Sequence, residues 1–132
     1  MTSELRQPPA ARQWPRELRL GEAGKVLKVS FESGRGFDLS AEYLRVMSPS
    51  AEVQGHLPDE RKTLGGKRNV AVTEIVPIGS YAVRLSFDDS HSTGIYTWDY
   101  LYELGARRTE KWAQYLAELA AKDLSRDRPG EK

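Results

Sequence analysis

Residues 81–105, YAVRLSFDDSHSTGIYTWDYLYELG, constrain the fold more than any other part of the chain. YAVRLSF alternates with the period of two of a half-buried strand. That period assigns Tyr81, Val83, Leu85 and Phe87 to the inner face and Ala82, Arg84 and Ser86 to the outer. Asp88, Asp89, Ser90, His91 and Ser92 supply a polar turn, and TGIYTW returns as a second strand with Tyr96 and Trp98 on one face. DYLYEL then continues as a helix, with Gly105 placed as its C-terminal cap. A tight strand-turn-strand unit belongs to an antiparallel sheet, because parallel strands need long crossover connections.

Upstream, the same period recurs in KVLKVSF, where Leu27, Val29 and Phe31 share one face and Lys28 and Ser30 the other. Leu18 and Leu20 begin a preceding strand, with Glu22, Ala23, Gly24 and Lys25 as the turn between the two. Ser33, Gly34, Arg35 and Gly36 make the next turn, and Phe37 and Leu39 open a third strand. Ser40 is placed to cap a helix over AEYLRVM, which Pro49 stops. Residues 48–69, with Pro58, Gly65 and Gly66, read as a long loop. NVAVTEIV reads as a strand in which Val70, Val72 and Val76 alternate with Ala71, Thr73 and Ile75 until Pro77 and Gly79 break it. Thr109 is a candidate cap for EKWAQYLAELAAKDL, whose Trp112, Tyr115, Leu116 and Leu119 form one apolar stripe. The expected fold is α+β, a largely antiparallel sheet of five to six short strands with one short internal helix and a C-terminal helix packed on it. Residues 16–121 are expected to form a single domain between a proline-bearing disordered arm at 1–15 and a charged disordered tail at 122–132.

Composition removes several function classes. The chain of 132 residues has no cysteine, which excludes disulfides, thiolate zinc sites, cysteine-ligated iron-sulfur clusters and thiol nucleophiles. Twenty basic against nineteen acidic residues leave a formal charge of +1, so no net field draws in nucleic acid or an anionic membrane. Arg61, Lys62, Lys67 and Arg68 cluster in the long loop without interleaved aromatics, and read as a solvated loop rather than a nucleic-acid patch. No apolar run approaches the ~20 residues of a membrane span. The first residues lack the apolar stretch of a secretory signal, so a cytoplasmic location is expected. The two histidines, His56 and His91, stand in no H-x-D pattern, and G-x-S-x-G, G-x-G-x-x-G and Walker motifs are missing. No catalytic residue and no cofactor is therefore expected.

FDDSHSTGIYTWDYLYELG resembles the signature of the gamma-butyrobetaine hydroxylase-like N-terminal domain, a family of unknown function. The resemblance extends over about residues 18–105 and includes LRVMSPSAEV, GKRNV and PIGSYAVRL. Similar domains occur alone in bacteria, at the N-terminus of carnitine-pathway dioxygenases, and fused to iron-sulfur carrier ATPases. In the dioxygenases the family's domain holds a structural zinc through a C-P-C-x-x-C run and a later histidine. On this chain those four positions are Ser48, Ser50, Val53 and His91. Serine is a poor zinc ligand at neutral pH and valine is none, so the resemblance implies the architecture without the metal. His91 is then expected to hydrogen-bond to its own turn or to the 48–53 loop rather than to bind metal with Asp88 or Asp89.

The expected function is a non-catalytic binding or docking module. Its candidate surface comprises Arg45, Asp88, Asp89, His91, Tyr96 and Tyr100, with the 48–53 loop beside them. The resemblance implies a protein partner of the metalloenzyme or iron-sulfur carrier ATPase kind. Homodimerisation through the C-terminal helix competes with intramolecular packing of the same stripe. The alternative is an accessory factor in iron-sulfur or other metal handling.

Overall fold

The computed structural model describes residues 13–54 and 62–127. Six strands form two antiparallel three-stranded meanders rather than the single sheet expected. The first is β1 (Pro15–Gly21), β2 (Val26–Phe31) and β3 (Gly36–Ser40); the second is β4 (Val72–Ile78), β5 (Ala82–Phe87) and β6 (Gly94–Thr97). Between them come α1 (Ala41–Val46), the one-turn α2 (Ala51–Gln54) inside the segment expected to be loop, and, from residue 62, an irregular stretch leading to β4. That intervening chain keeps β3 and β4 from pairing.

Register explains which faces meet. In the first sheet Leu20, Leu27 and Leu39 stand opposite one another, as do Leu18, Val29 and Phe37, giving two apolar rows on one face. In the second, Ile75 and Pro77 pair with Leu85 and Val83, and Gly94 and Tyr96 complete those rows. The alternation expected for the 69–76 strand fails because a register shift between Val72 and Glu74 inserts one residue. After such a bulge every side chain changes face, so Ile75 turns inward and Val76 pairs with Arg84 on the outer face. Pro77 does not break β4; β4 is an edge strand, where a missing N–H is tolerated. Tyr81, assigned inward from sequence, is 39% exposed in the turn before β5, whereas Ala82 is buried.

Side chains from both sheets, α1, α3 (Trp98–Ala106) and α4 (Arg108–Ala121) share one core. Ser40 Oγ accepts from the Tyr43 N–H at 3.1 Å and caps α1 as expected. Thr97 caps α3 in the same manner, accepting from Tyr100 N. Gly105 is not the cap of α3, which runs through it to Ala106. It lies under the Phe37 ring, where a Cβ would overlap the ring carbons. Thr109 does not cap α4 either, since the helix starts at Arg108. The stripe on α4 is narrower than expected. Tyr115 and Leu119 are buried and Trp112 packs against the core, but Leu116 is 40% exposed.

The chain ends are held where they are described. Gln13 N donates to Asp99 Oδ1 and Trp14 O accepts from Glu32 N, so the expected arm at 1–15 is already tied at 13–15; residues 1–12 lie outside the described residues. Residues 124–127, expected to fray, run beside 66–68, where Gly66 N donates to Ser125 O and Arg68 N to Arg126 O. Arg126 then grips the buried carboxylate of Glu42 with two bonds of 2.8 and 2.7 Å and lies over the Trp112 ring. Residues 128–132 lie outside the described residues. Among the described residues no helix is long and apolar enough to cross a membrane.

Gly105 yields the first test. Alanine gains about 1 kcal/mol of helix propensity over glycine, whereas forcing a methyl into a packed contact costs about 1–3 kcal/mol. Gly105→Ala is expected to lower the midpoint of urea unfolding; a raised midpoint would show that Phe37 swings aside freely.

Candidate functional site

The site is a junction between the segment after α1 and the turn linking β5 to β6. Met47 caps α1 by donating its N–H to Tyr43 O, and Ser48 N reaches back to Arg45 O at 3.3 Å. Ser50 opens α2, its carbonyl accepting from both Val53 N and Gln54 N. On the facing turn, Phe87 N donates to His91 O at 2.8 Å, closing the loop that carries Asp88, Asp89 and Ser90. Ser48 Oγ and His91 Nε2 are hydrogen-bonded at 3.0 Å, and both side chains are buried. Ser48 Oγ also accepts from Ser50 N at 3.2 Å, Ser50 Oγ bonds Thr93 Oγ1 at 2.7 Å, and Gln54 Nε2 donates to Ser48 O at 2.8 Å. Val53 is buried beside them. Gly94 permits the approach, because a Cβ there would stand 2.5 Å from Ser48 Oγ.

Two tyrosines fix the same segment from β6 and α3. Tyr96 OH donates to Leu44 O at 2.5 Å and Tyr100 OH to Met47 O at 2.6 Å. Both carbonyls belong to the C-terminal end of α1, where intrahelical donors run out. Burial pushes the Tyr96 hydroxyl far above its ordinary pKa, with a Ser48 contact opposing, so it remains a donor at any ordinary pH.

The charged layer lies just outside. Arg45 Nε donates to Asp89 Oδ2 at 2.8 Å, Lys67 Nζ reaches the same oxygen at 2.5 Å, and Asp89 Oδ1 accepts from His91 N at 3.2 Å. Burial raises the Asp89 carboxyl, but the Lys67 and Arg45 contacts outweigh it and hold the group below its ordinary value. Asp88 points elsewhere, accepting from Ala71 N at 3.1 Å.

The six residues expected to form a surface are therefore brought together but do not all face outward. Asp88 is exposed, Asp89 and Tyr100 are half-buried, and Arg45, His91 and Tyr96 are buried. Alternation placed Tyr96 on one face with Trp98, and that face is the buried one, so Tyr96 does not belong to a surface. Lys67, Thr93, Gly94 and Gln54 were missed. Lys67 read as one of a solvated cluster, and only the tertiary fold sets it against Asp89. Arg68 of that cluster pairs with Asp127, and Arg61 lies outside the described residues. A separate cleft of about 610 Å3 lies between the first sheet and α4, walled by Val26, Tyr43, Trp112 and Leu116. Of its charged groups, Arg126 is paired with Glu42 and Arg108 donates to the Asp38 backbone carbonyl, and Glu22 also lines the wall.

Residues 18–102 match the model of the family described as gamma-butyrobetaine hydroxylase-like, N-terminal. The chain belongs to this family. A solution structure determined by NMR is 48% identical, with a TM-score of 0.77 over 92% of this chain and 95% of its own. A second NMR solution structure is 42% identical, with a TM-score of 0.76 over 91% and 89%. A crystal structure at 1.93 Å of a protein of unknown function in the DUF971 family, from Acidithiobacillus ferrooxidans, is 40% identical, with a TM-score of 0.59 over 70% of this chain and 92% of its own. No curated protein matches this chain.

The structural zinc that the resemblance to the dioxygenase members implies does not fit the residues of this chain. The four positions offer one imidazole, two aliphatic hydroxyls and a valine, and a closed zinc site needs four strong donors at roughly 2.0–2.3 Å. Ser48 and His91 are instead bonded directly to each other. Among the described residues no three His, Cys, Asp or Glu side chains are grouped to hold a metal ion.

Because the folded-state pKa of Asp89 is depressed, its contribution to stability is complete above the unfolded carboxylate range and disappears as pH falls through the folded value. Asp89→Asn is expected to cost about 1–2 kcal/mol at neutral pH, the Lys67 and Arg45 contacts being partly screened. The gap to wild type should close below about pH 4. Thermal unfolding across that range measures it, and a gap that widens on acidification would refute the assignment.

Proposed function

We propose that this chain is a non-catalytic docking module of the cytoplasm. The observation that carries the reading is the buried Ser48–His91 bond at 3.0 Å, at two of the positions that the resemblance to the dioxygenase members implies as zinc ligands. The junction retains its shape through hydrogen bonds and packing, and its outer side displays Asp88, Ser90, Ser92 and Thr93. A polar turn closed by the Phe87 N to His91 O bond and set on a sheet suits partner recognition, since little ordering is required on binding. Buried His91 and Tyr96 support this surface from within rather than contacting the partner. The partner class we favour is a metalloenzyme or an iron-sulfur carrier ATPase, the company in which similar domains occur.

The cleft beside α4 has the volume of a small-molecule site. Its Glu42 and Arg126 are spent on each other, and volume alone does not favour an enzyme. The alternative, an accessory role in metal handling, asks for ligands that the junction does not supply. Near-equimolar metal in untagged protein, or a metal-induced rise in unfolding temperature, would reinstate it.

Affinity capture with the full chain tests the docking reading. Wild type is expected to retain one stoichiometric partner, and Ser92→Arg on the exposed turn to weaken it at least tenfold with an unchanged fold. Glu22→Arg, in the hairpin turn between β1 and β2, should leave it intact. A partner indifferent to Ser92→Arg would refute the surface, and changes at His91 would test the fold instead.

A further inference from the structure

The cleft of about 610 Å3 between the first sheet and α4 is reached from solvent without rearrangement: on its α4 wall Arg108, Thr109 and Ala113 are exposed and Leu116 is 40% exposed. Arg108, Trp112 and Leu116 recur every four residues, so they stand in one column along the helix. The column spans about 12 Å at the α-helical rise. It passes from a charge through an aromatic ring to an aliphatic end, and Val26 and Tyr43 supply further apolar surface. A wall graded in this way suits a molecule with a polar head and an apolar tail.

The charges along the cleft are unevenly matched. Arg126 is taken by Glu42 and Asp38 by Lys28 at 3.1 Å. The acidic residues closest to Arg108 on α3 and α4, Glu103 and Glu110, are engaged by Arg107 and Lys111. Arg108 is left with one bond, from Nη1 to the neutral Asp38 carbonyl at 2.7 Å, and pairs with no carboxylate among the described residues. That bond holds the guanidinium at the head of the column while the rest of its donors remain unspent. A cation already held in place needs little ordering to receive a carboxylate.

Glu22, also on the wall, has no cation partner among the described residues. It follows Gly21, which pairs with Val26, and Val26 pairs with Ser40. Asp38, to which Arg108 is tied, lies two residues or about 7 Å further along β3. The two unmatched charges are thus separated along the cleft. A second anionic group on a ligand headed at Arg108 would be repelled by Glu22, whereas an uncharged tail would not.

We propose that this cleft is a binding site for a monocarboxylate with a medium-length apolar tail, its carboxylate on Arg108 beside Thr109 and its tail along Trp112, Leu116 and Val26. The site is separate from the docking surface and does not depend on it.

The test is an NMR titration of the full chain with decanoate held below its critical micelle concentration. Saturable shifts are expected at the Trp112 indole N–H and at the amides of residues 26, 109, 113 and 116. Decanoate should bind at least fivefold tighter than decylamine or decanol. Arg108→Gln should weaken decanoate at least fivefold and decanol less than twofold, whereas Leu116→Gln should weaken both at least threefold. Glu22→Gln should bind decanedioate at least threefold tighter than wild type does. The proposal is overturned by equal affinity for decylamine or decanol, by unsaturable shifts spread over the surface, or by an Arg108→Gln variant that binds decanoate as wild type does. It is overturned too if the same residues shift with protein concentration alone, which would assign the cleft to a second copy of the chain. If a variant does not fold, the order of the three ligands on wild type still decides.

Discussion

The hydrogen bonds from Tyr96 and Tyr100 to the carbonyls of Leu44 and Met47 are the constraint on which the site depends. A six-residue helix is too short to be stable alone, so its position comes from tertiary contacts. The two hydroxyls arrive from β6 and α3 and satisfy carbonyls that the helix cannot. They set the direction in which the chain leaves α1, and with it the placement of Arg45, Ser48 and Ser50. Tyr43 OH bonding Leu104 O and Tyr115 OH bonding Leu64 O extend the same device to the far side of the core. Each ring contributes apolar area while its hydroxyl removes an unpaired carbonyl, two requirements that a small domain meets with one side chain.

A structural zinc supplies on the order of 10 kcal/mol to a small fold, whereas a single hydrogen bond adds about 1 kcal/mol net. The bonds joining Ser48, Ser50, His91 and Thr93 cannot match a metal by themselves. Burial of Val53 and the tyrosine anchors must therefore hold the junction together, so that its hydrogen bonds serve alignment more than strength. The same reasoning separates Arg45 from its neighbours. Its Nε is paired with Asp89, while Nη1 is buried without a hydrogen-bond acceptor.

Much of the fold was legible because period and capping are local. The face of β2 was correct through Leu27, Val29 and Phe31, as was the Ser40 cap, and the 81–105 unit was legible as hairpin then helix. Errors came where one long-range fact reversed a local signal. A bulge at 72–74 inverted β4, an edge position made Pro77 tolerable, and the Phe37 ring turned Gly105 from a helix terminator into a packing position. The α4 stripe narrows because Tyr115 and Leu119 are buried, with the Tyr115 hydroxyl on Leu64 O, whereas Leu116 lines the cleft.

The sequence by itself determined the class of fold, the family and the exclusion of thiolate metal sites, because each follows from residue identity: alternation, ordered motifs, and the absence of cysteine. Only the tertiary structure decided which of the six candidate residues lie at the surface. Exposure is set by what packs above a side chain, so Tyr96 and His91 went inside, and Lys67 came from a distant loop to share Asp89 with Arg45. Two sheets in place of one follow from the same physics. Strand pairing is a long-range choice, and the chain between β3 and β4 is taken up by α1 and its tyrosine anchors.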